Sequence, residues 1–293
     1  MAILQEILKP LAHPATRGLE VDDPRTTQRR RSILESNRFL WRIYDEWYRL
    51  LSGCIPEGPG PVLELGSGAG FLAQYIPGLI ASEVFPCAGI QVVLDARRLP
   101  FSSCSLQSIV MVDVLHHVPE VRLFLTEADR CLRPGGSVAM IEPWLSTWSR
   151  FVYTRLHHEP FDAASREWTF PMTGPLSGAN IALPWMVFER DWQRFEAEFP
   201  NLEIRSIRPL MPFRYLVSGG MSLRQLMPEA AFSLWRKLES CLDAWPRHWS
   251  MFALIHLVKR GGPQSSAISR GTASSRGPWE SETGPPRHLE PRA

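Results

Sequence analysis

Lysine is almost missing from this 293-residue chain. It occurs only as Lys9, Lys237 and Lys259, a bias that fits genomic base composition as well as any physical demand and carries no functional reading. A net charge of either sign is missing too. The formal charge is +2, and Arg260 with the residues beyond it holds five of the 32 basic residues and three of the 30 acidic ones, so the rest of the chain is balanced. A binder of nucleic acid or another polyanion would carry a basic excess and is not expected. The five cysteines, Cys54, Cys87, Cys104, Cys131 and Cys241, stand singly with no Cys-x-x-Cys or Cys/His spacing. That argues against a disulfide framework and a structural zinc, and for a reducing compartment. No apolar run approaches the ~18 residues that span a bilayer, and MAILQEILKPLAHP at the N-terminus has no basic leader. The expectation is a cytoplasmic protein without stable membrane insertion, peripheral contact remaining open and the oligomeric state unspecified. Repeats of ~20–50 residues are missing as well, which excludes a solenoid.

With 44% hydrophobic residues the chain can bury a sizeable core. The spacing predicts one long amphipathic helix over residues 24–52. Asp23 can cap it, Pro24 suits its first turn, and Ile33, Leu34, Leu40, Trp41, Tyr44, Trp47, Tyr48 and Leu51 share a stripe that Ser52-Gly53 ends. From Gly60 the pattern changes to short apolar runs: PVLEL, LIASEV, QVVLD, SIVMVDV and SVAMIEP. Nearly continuous apolar runs read as parallel strands buried on both faces. Between Glu83 and Ile90 there is room only for a turn or one helical turn, so the helix usual at that crossover is shortened or absent; Glu120 to Leu132 has helical spacing, and Pro134-Gly135-Gly136 turns the chain into SVAMIEP. LEIRSIRPL and MFALIHLVKR read as two last strands. Such alternation implies right-handed crossovers and an open, doubly wound α/β sheet. The expected organisation is an N-terminal helical extension over residues 1–56, a main domain over 57–260 with variable segments at 144–192 and 209–250, and a disordered tail over 261–293. The tail is rich in Gly, Pro and Ser and too poor in aliphatics to offset its ordering entropy.

Residues Val62 to Leu72 read VLELGSGAGFL. In a doubly wound sheet the turn after the first strand opens onto the crevice at the carboxyl ends of the strands, where bare glycines let backbone approach a ligand. A dinucleotide fingerprint, G-x-G-x-x-G, would place its third glycine where Phe71 stands; the next glycine is Gly70 instead. An acid two residues before G-x-G-x-G resembles the first motif of class I S-adenosylmethionine-dependent methyltransferases. Four later segments resemble the same family in its order: Glu83 ending IASE, Asp95 in VVLDARRLPF, SLQSIVMVDVLHHV, and LRPGGSVAMIEP. The resemblance covers about residues 60–143 and is nearest to the small-molecule branch similar to quinone-biosynthesis-like methyltransferases. It implies a Rossmann-like, mostly parallel seven-stranded sheet with one antiparallel strand, and S-adenosyl-L-methionine as cofactor. The residues it implicates in cofactor binding are Glu64, Gly66, Ser67, Gly68, Gly70, Glu83, Asp95, Ala96 and Asp113. Glu83 would accept from the ribose hydroxyls, and Asp95 with Ala96 would meet the adenine. By charge, Glu64 would suit a cationic ligand.

Asp113, His116 and His117 follow the fourth strand, the segment that in the family lines the junction of cofactor and substrate. A histidine there is either a general base or a ring packed at a helix start, and Asp113 either faces the ligand or fixes the loop. If the methyl acceptor is a hydroxyl or phenol, His116 and His157 are the candidate catalytic bases; an amine or stabilised carbanion needs none. The aromatic-rich segment 144–192 reads as a substrate pocket, a lid or a local core. Adjacent residues such as His157-His158-Glu159 seldom ligate one ion without further partners, so no metal is expected. The resulting expectation is an enzyme methylating a small, partly apolar molecule. Two rivals are a catalytically inactive regulatory or assembly subunit and a methyltransferase acting on a lipid or glycan at a membrane.

Overall fold

The apolar runs assemble into a single seven-stranded sheet. The computed structural model describes residues 11–261 except 17, 20, 21, 69, 158, 173, 175 and 176, so the predicted tail and His158 lie outside the described residues. The strands are β1 (Val62–Leu65), β2 (Ile80–Glu83), β3 (Val92–Val93), β4 (Leu106–Val112), β5 (Leu132–Pro143), β6 (Leu202–Leu210) and β7 (Phe252–Lys259), in the spatial order β3-β2-β1-β4-β5-β7-β6. The first five pair in parallel, and β7 runs antiparallel to both β5 and β6. This is the Rossmann-like sheet with one antiparallel strand. Its order reverses between β1 and β4, so their carboxyl ends frame the crevice.

Two crossovers are thinly covered. Among the described residues the β1–β2 link holds only a 3₁₀ turn, Leu72–Gln74, and the β2–β3 link has no helix. Two N-terminal helices, α1 (Pro24–Ser36) and α2 (Arg38–Ser52), pack there instead. Leu40, Ile43, Trp47, Tyr48 and Leu51 share a core with Val62, Phe71, Leu72, Ile76, Val110 and Ile141. Phe71 stacks on Trp41 with centroids 3.7 Å apart and meets Tyr48 edge-on.

Two expectations are corrected. The helix over 24–52 breaks at Asn37, whose backbone is extended and whose side-chain oxygen accepts from the Leu40 N–H at 2.9 Å. Asn37 also donates to the Ser218 carbonyl at 2.8 Å, so the break is fixed by a partner remote in sequence. Pro134-Gly135-Gly136 lies within β5, where the register against β4 shifts between Leu106 and Ser108, so the turn residues make a bulge. After Pro184 a π-helical stretch at Met186–Arg190 ends on Asp191 before the helix Trp192–Glu198. Asp191 is anchored by Arg190 at 2.6 Å and by the Trp168 indole at 2.8 Å. The other helices include α3 (Val121–Cys131), α4 (Thr147–Arg155) and, in segment 211–250, the helix Phe232–Ser240 among shorter turns. All five cysteines are free, and no helix among the described residues is long and apolar enough to cross a membrane.

Candidate functional site

A cavity of about 290 Å³ opens at the carboxyl ends of the parallel strands. That is the scale of a small-molecule site. Gly66 and Gly68 after β1, Glu83 ending β2, Asp95 and Ala96 after β3, and Asp113 after β4 all line it. Six of the nine residues proposed from the sequence for cofactor binding thus converge.

The glycines are bare for two different reasons. Gly66 and Gly68 both have positive φ, +66° and +35°, and a Cβ at Gly68 would lie 3.1 Å from a Glu83 carboxylate oxygen. The Glu83 carboxylate accepts from the Gly68 and Val84 N–H groups, the latter at 3.0 Å, and burial raises its pKa. The remaining three candidates stand behind the cavity wall. Gly70 is stripped because the Tyr48 hydroxyl of α2 fills the place of a Cβ; that hydroxyl also accepts from the Phe71 N–H at 3.4 Å. Ser67 splices the turn to β2, its N–H donating to the Ser82 carbonyl at 2.9 Å and its hydroxyl accepting from the Ser82 N–H at 3.1 Å. Glu64 is 5% exposed within β1. Burial raises its pKa to about 7, the Ser67 hydroxyl opposing and the Glu83 charge adding to the rise.

Asp95 borders the adenine side expected from the family pattern, but it is already engaged. Arg97 holds its carboxylate through three side-chain contacts of 2.7–3.1 Å and a backbone N–H at 2.8 Å, which lowers its pKa. Arg97 reaches on to Glu120 at 3.0 Å.

After β4 the chain turns sharply at Asp113, a non-glycine residue at φ +62° whose N–H donates to the Ile141 carbonyl. Its carboxyl borders the cavity, and burial raises its pKa to about 7 against the pull of His116. The next turn, Leu115–His117, is organised by Glu142, which is completely buried at the end of β5. Glu142 accepts from the Val114 and Leu115 N–H groups at 2.8 and 2.7 Å and from His116 Nδ1 at 2.9 Å. His116 is 2% exposed and does not line the cavity, so it meets a small molecule held there only through its neighbours. Burial works against its charged form, yet Glu142 and Glu159 together raise its pKa well above the ordinary value. His117 does line the cavity; burial and the neighbouring His116 lower it to about 4, which leaves it neutral.

Glu159 arrives from the loop after α4, with one carboxylate oxygen 3.4 Å from His116 Nε2 and the other 3.8 Å from His117 Nε2. His157 lines the same cavity, its Nδ1 accepting from the Glu159 N–H at 3.2 Å. A neutral His157 with Nδ1 so used carries its proton on Nε2, making it a hydrogen-bond donor and not a base in this arrangement.

The apolar wall comes from places the sequence reading did not weigh. Of the aromatic residues in 144–192 only Tyr153 borders the cavity, while Trp168 and Phe188 are fully buried in a local core. Tyr44 of α2, Tyr215 and Phe252 complete the wall. Tyr44 was legible as part of an apolar stripe, but nothing in its spacing says that its stripe ends over a ligand. Glu142 carried a signal that went unread, an acid closing an otherwise apolar strand.

Residues 63–140 match a protein-family model described as a methyltransferase domain. Among solved structures, the chain is similar to the geranyl diphosphate C-methyltransferase of Streptomyces coelicolor A3(2), with 12% identity and a TM-score of 0.47 over 85% of this chain and 88% of that one. It is also similar to an S-adenosylmethionine-dependent methyltransferase of Mesorhizobium loti, with 16% identity and a TM-score of 0.43 over 73% and 97% of the two chains. The YcgJ protein of Bacillus subtilis matches with 15% identity and a TM-score of 0.45 over 74% of this chain and all of that one, 100%.

Proposed function

We propose that the chain, whose residues 63–140 match a methyltransferase-domain model, is a class I S-adenosylmethionine-dependent methyltransferase that transfers a methyl group from S-adenosyl-L-methionine to a small, partly apolar molecule. The observation that carries this reading is the meeting of a turn bared by Gly66 and Gly68 with the Glu83 carboxylate in one cavity at the switch point of the sheet. The residues present fit the cofactor. Glu83 is held by two backbone N–H groups, leaving lone pairs for vicinal hydroxyls, and Asp95 with Ala96 borders the adenine side. When bound, the cofactor supplies an electrophilic methyl group on a positively charged sulfur.

The rest of the task is positioning and exclusion of water. Tyr44, Tyr153, Tyr215 and Phe252 give the acceptor side its apolar wall. His157 presents an N–H to an acceptor oxygen. Asp113 is a carboxylate facing that side and can take a proton from it. His116, buried behind Glu159, is a positioning residue in this scheme.

Calorimetry with S-adenosylhomocysteine tests the reading. Binding to the wild type is expected, with affinity lowered about tenfold or more by Glu83→Ala, which removes charge-assisted hydrogen bonds of roughly 1.5–3 kcal/mol. Gly66→Val should abolish it, since a side chain there runs into Val114. A wild type that does not bind would sink the proposal.

A further inference from the structure

The geometry points to a divalent transition-metal site formed by His116, His117 and Glu159 on the acceptor side of the cavity. No ligand set of this kind is visible along the sequence. His116 and His117 sit on the turn after β4, whereas Glu159 follows α4, and the fold brings their ligand atoms within 4.8 Å of one another. The further partners that the run His157-His158-Glu159 lacked in sequence are therefore supplied in space.

The hydrogen bonds behind the rings decide which atoms point inward. His116 Nδ1 faces the Glu142 carboxylate at 2.9 Å and His117 Nδ1 faces the Gly178 carbonyl at 3.0 Å. Both of those oxygens can only accept, so each Nδ1 donates, and each ring, once its Nε2 carries no proton, turns a lone pair toward Glu159. Two imidazole lone pairs and a carboxylate converge on one small space, an electron-rich arrangement that a cation completes.

Outer partners of this type, a carboxylate behind one histidine and a backbone carbonyl behind the other, are what fix the tautomer and aim of metal-binding imidazoles. The spacing fits as well. Metal bonds of about 2.0–2.2 Å to nitrogen and oxygen place neighbouring ligand atoms roughly 3–3.5 Å apart, so the site needs only a small contraction. Two imidazoles and one carboxylate suit zinc, cobalt, manganese or iron; magnesium and calcium prefer all-oxygen sets.

His117 and Glu159 both line the cavity, so the coordination positions they leave open face the space assigned to the acceptor. A hydroxyl or phenol oxygen bound there would lose its proton more readily, with Asp113 at hand to receive it. This last step rests on the methyltransferase reading; the metal site itself does not.

The test uses the tag-free full chain, stripped with a chelator and titrated with Co²⁺ while its visible absorption is followed. Equimolar binding is expected, displaced by Zn²⁺, lost in His117→Ala and weakened about tenfold or more in Glu159→Gln. Both variants should keep the wild-type circular dichroism spectrum, which separates loss of the metal from loss of the fold. A wild type that binds neither Co²⁺ nor Zn²⁺, or variants that bind as well as it does, would overturn the site and leave a protonated His116 as the cation between Glu142 and Glu159. Failure of the cofactor to bind would instead strike the methyltransferase reading.

Discussion

Glu64 shows how far a single residue can be read without coordinates. An acid among the apolar residues of a central strand is conspicuous, and charge alone suggests a cationic neighbour. The structure adds that no guanidinium or ammonium pairs with it among its described contacts and that burial is the leading influence, raising its pKa to about 7. The sign of the pH dependence follows. Below the ordinary carboxylate range the group is protonated whether the chain is folded or not, and costs nothing. As pH rises toward 7 the unfolded chain gives up the proton first, so stability falls, and above 7 the folded protein carries the full cost of a buried charge. The shift corresponds to at most about 3 kcal/mol. Glu64→Gln, which mimics the protonated form, should match the wild type below about pH 5 and melt roughly 5–10 °C higher above about pH 8, both without cofactor. Parallel melting curves across that range would show that Glu64 does not titrate as described.

Among the elements, the strands were the most legible part, because a sheet buried on both faces leaves unbroken apolar runs and the resemblance fixed their order. Helix boundaries were less so. The stripe from Ile33 to Leu51 continues across Asn37, since a capped break that keeps both helices on the same core leaves the periodicity almost intact. Only contact with Ser218, far along the chain, tells Asn37 apart from a solvent-facing polar residue. That contact makes the cap a structural joint. Asn37→Ala removes the N-cap of α2 and leaves a buried carbonyl without its donor, so a loss of about 2 kcal/mol is expected in urea unfolding. Asn37→Asp keeps the cap oxygen but not the donor and should recover about half. Equal losses in the two variants would assign the whole effect to Ser218. Site residues divide in the same way. Gly66, Gly68, Glu83 and Asp95 sit at strand ends whose positions the pattern sets, whereas Glu159 and Tyr215 come from later segments that no local pattern ties to the site, and Glu142, though marked as an acid in an apolar strand, shows its partners only in space.

At the scale of the whole molecule, residues 24–52 behave as a wall of the site and not as an appendage to it. Phe71, the residue that breaks the dinucleotide fingerprint, lies between Trp41 and Tyr48, and Gly70 is bare to admit the Tyr48 hydroxyl. The glycine motif is therefore shaped on one side by the ligand space and on the other by α2. Thr27, Arg30 and Tyr44 carry the same two helices onto the rim of the cavity. A ligand in the cavity should then steady helices that come long before the motif in sequence. Amide hydrogen exchange on the full chain provides the measure. At about a hundred times Kd, S-adenosylhomocysteine stabilises the bound form by about 2.7 kcal/mol, enough to slow exchange up to about a hundredfold wherever opening requires release of the ligand. Slowing is expected in α1 and α2 as well as at the ends of β1, β2 and β4. Edge strand β6, which does not reach the cavity, should change less. Protection confined to the strand ends, with α1 and α2 exchanging as before, would mean that the helices open independently of the ligand and that the motif alone carries its binding.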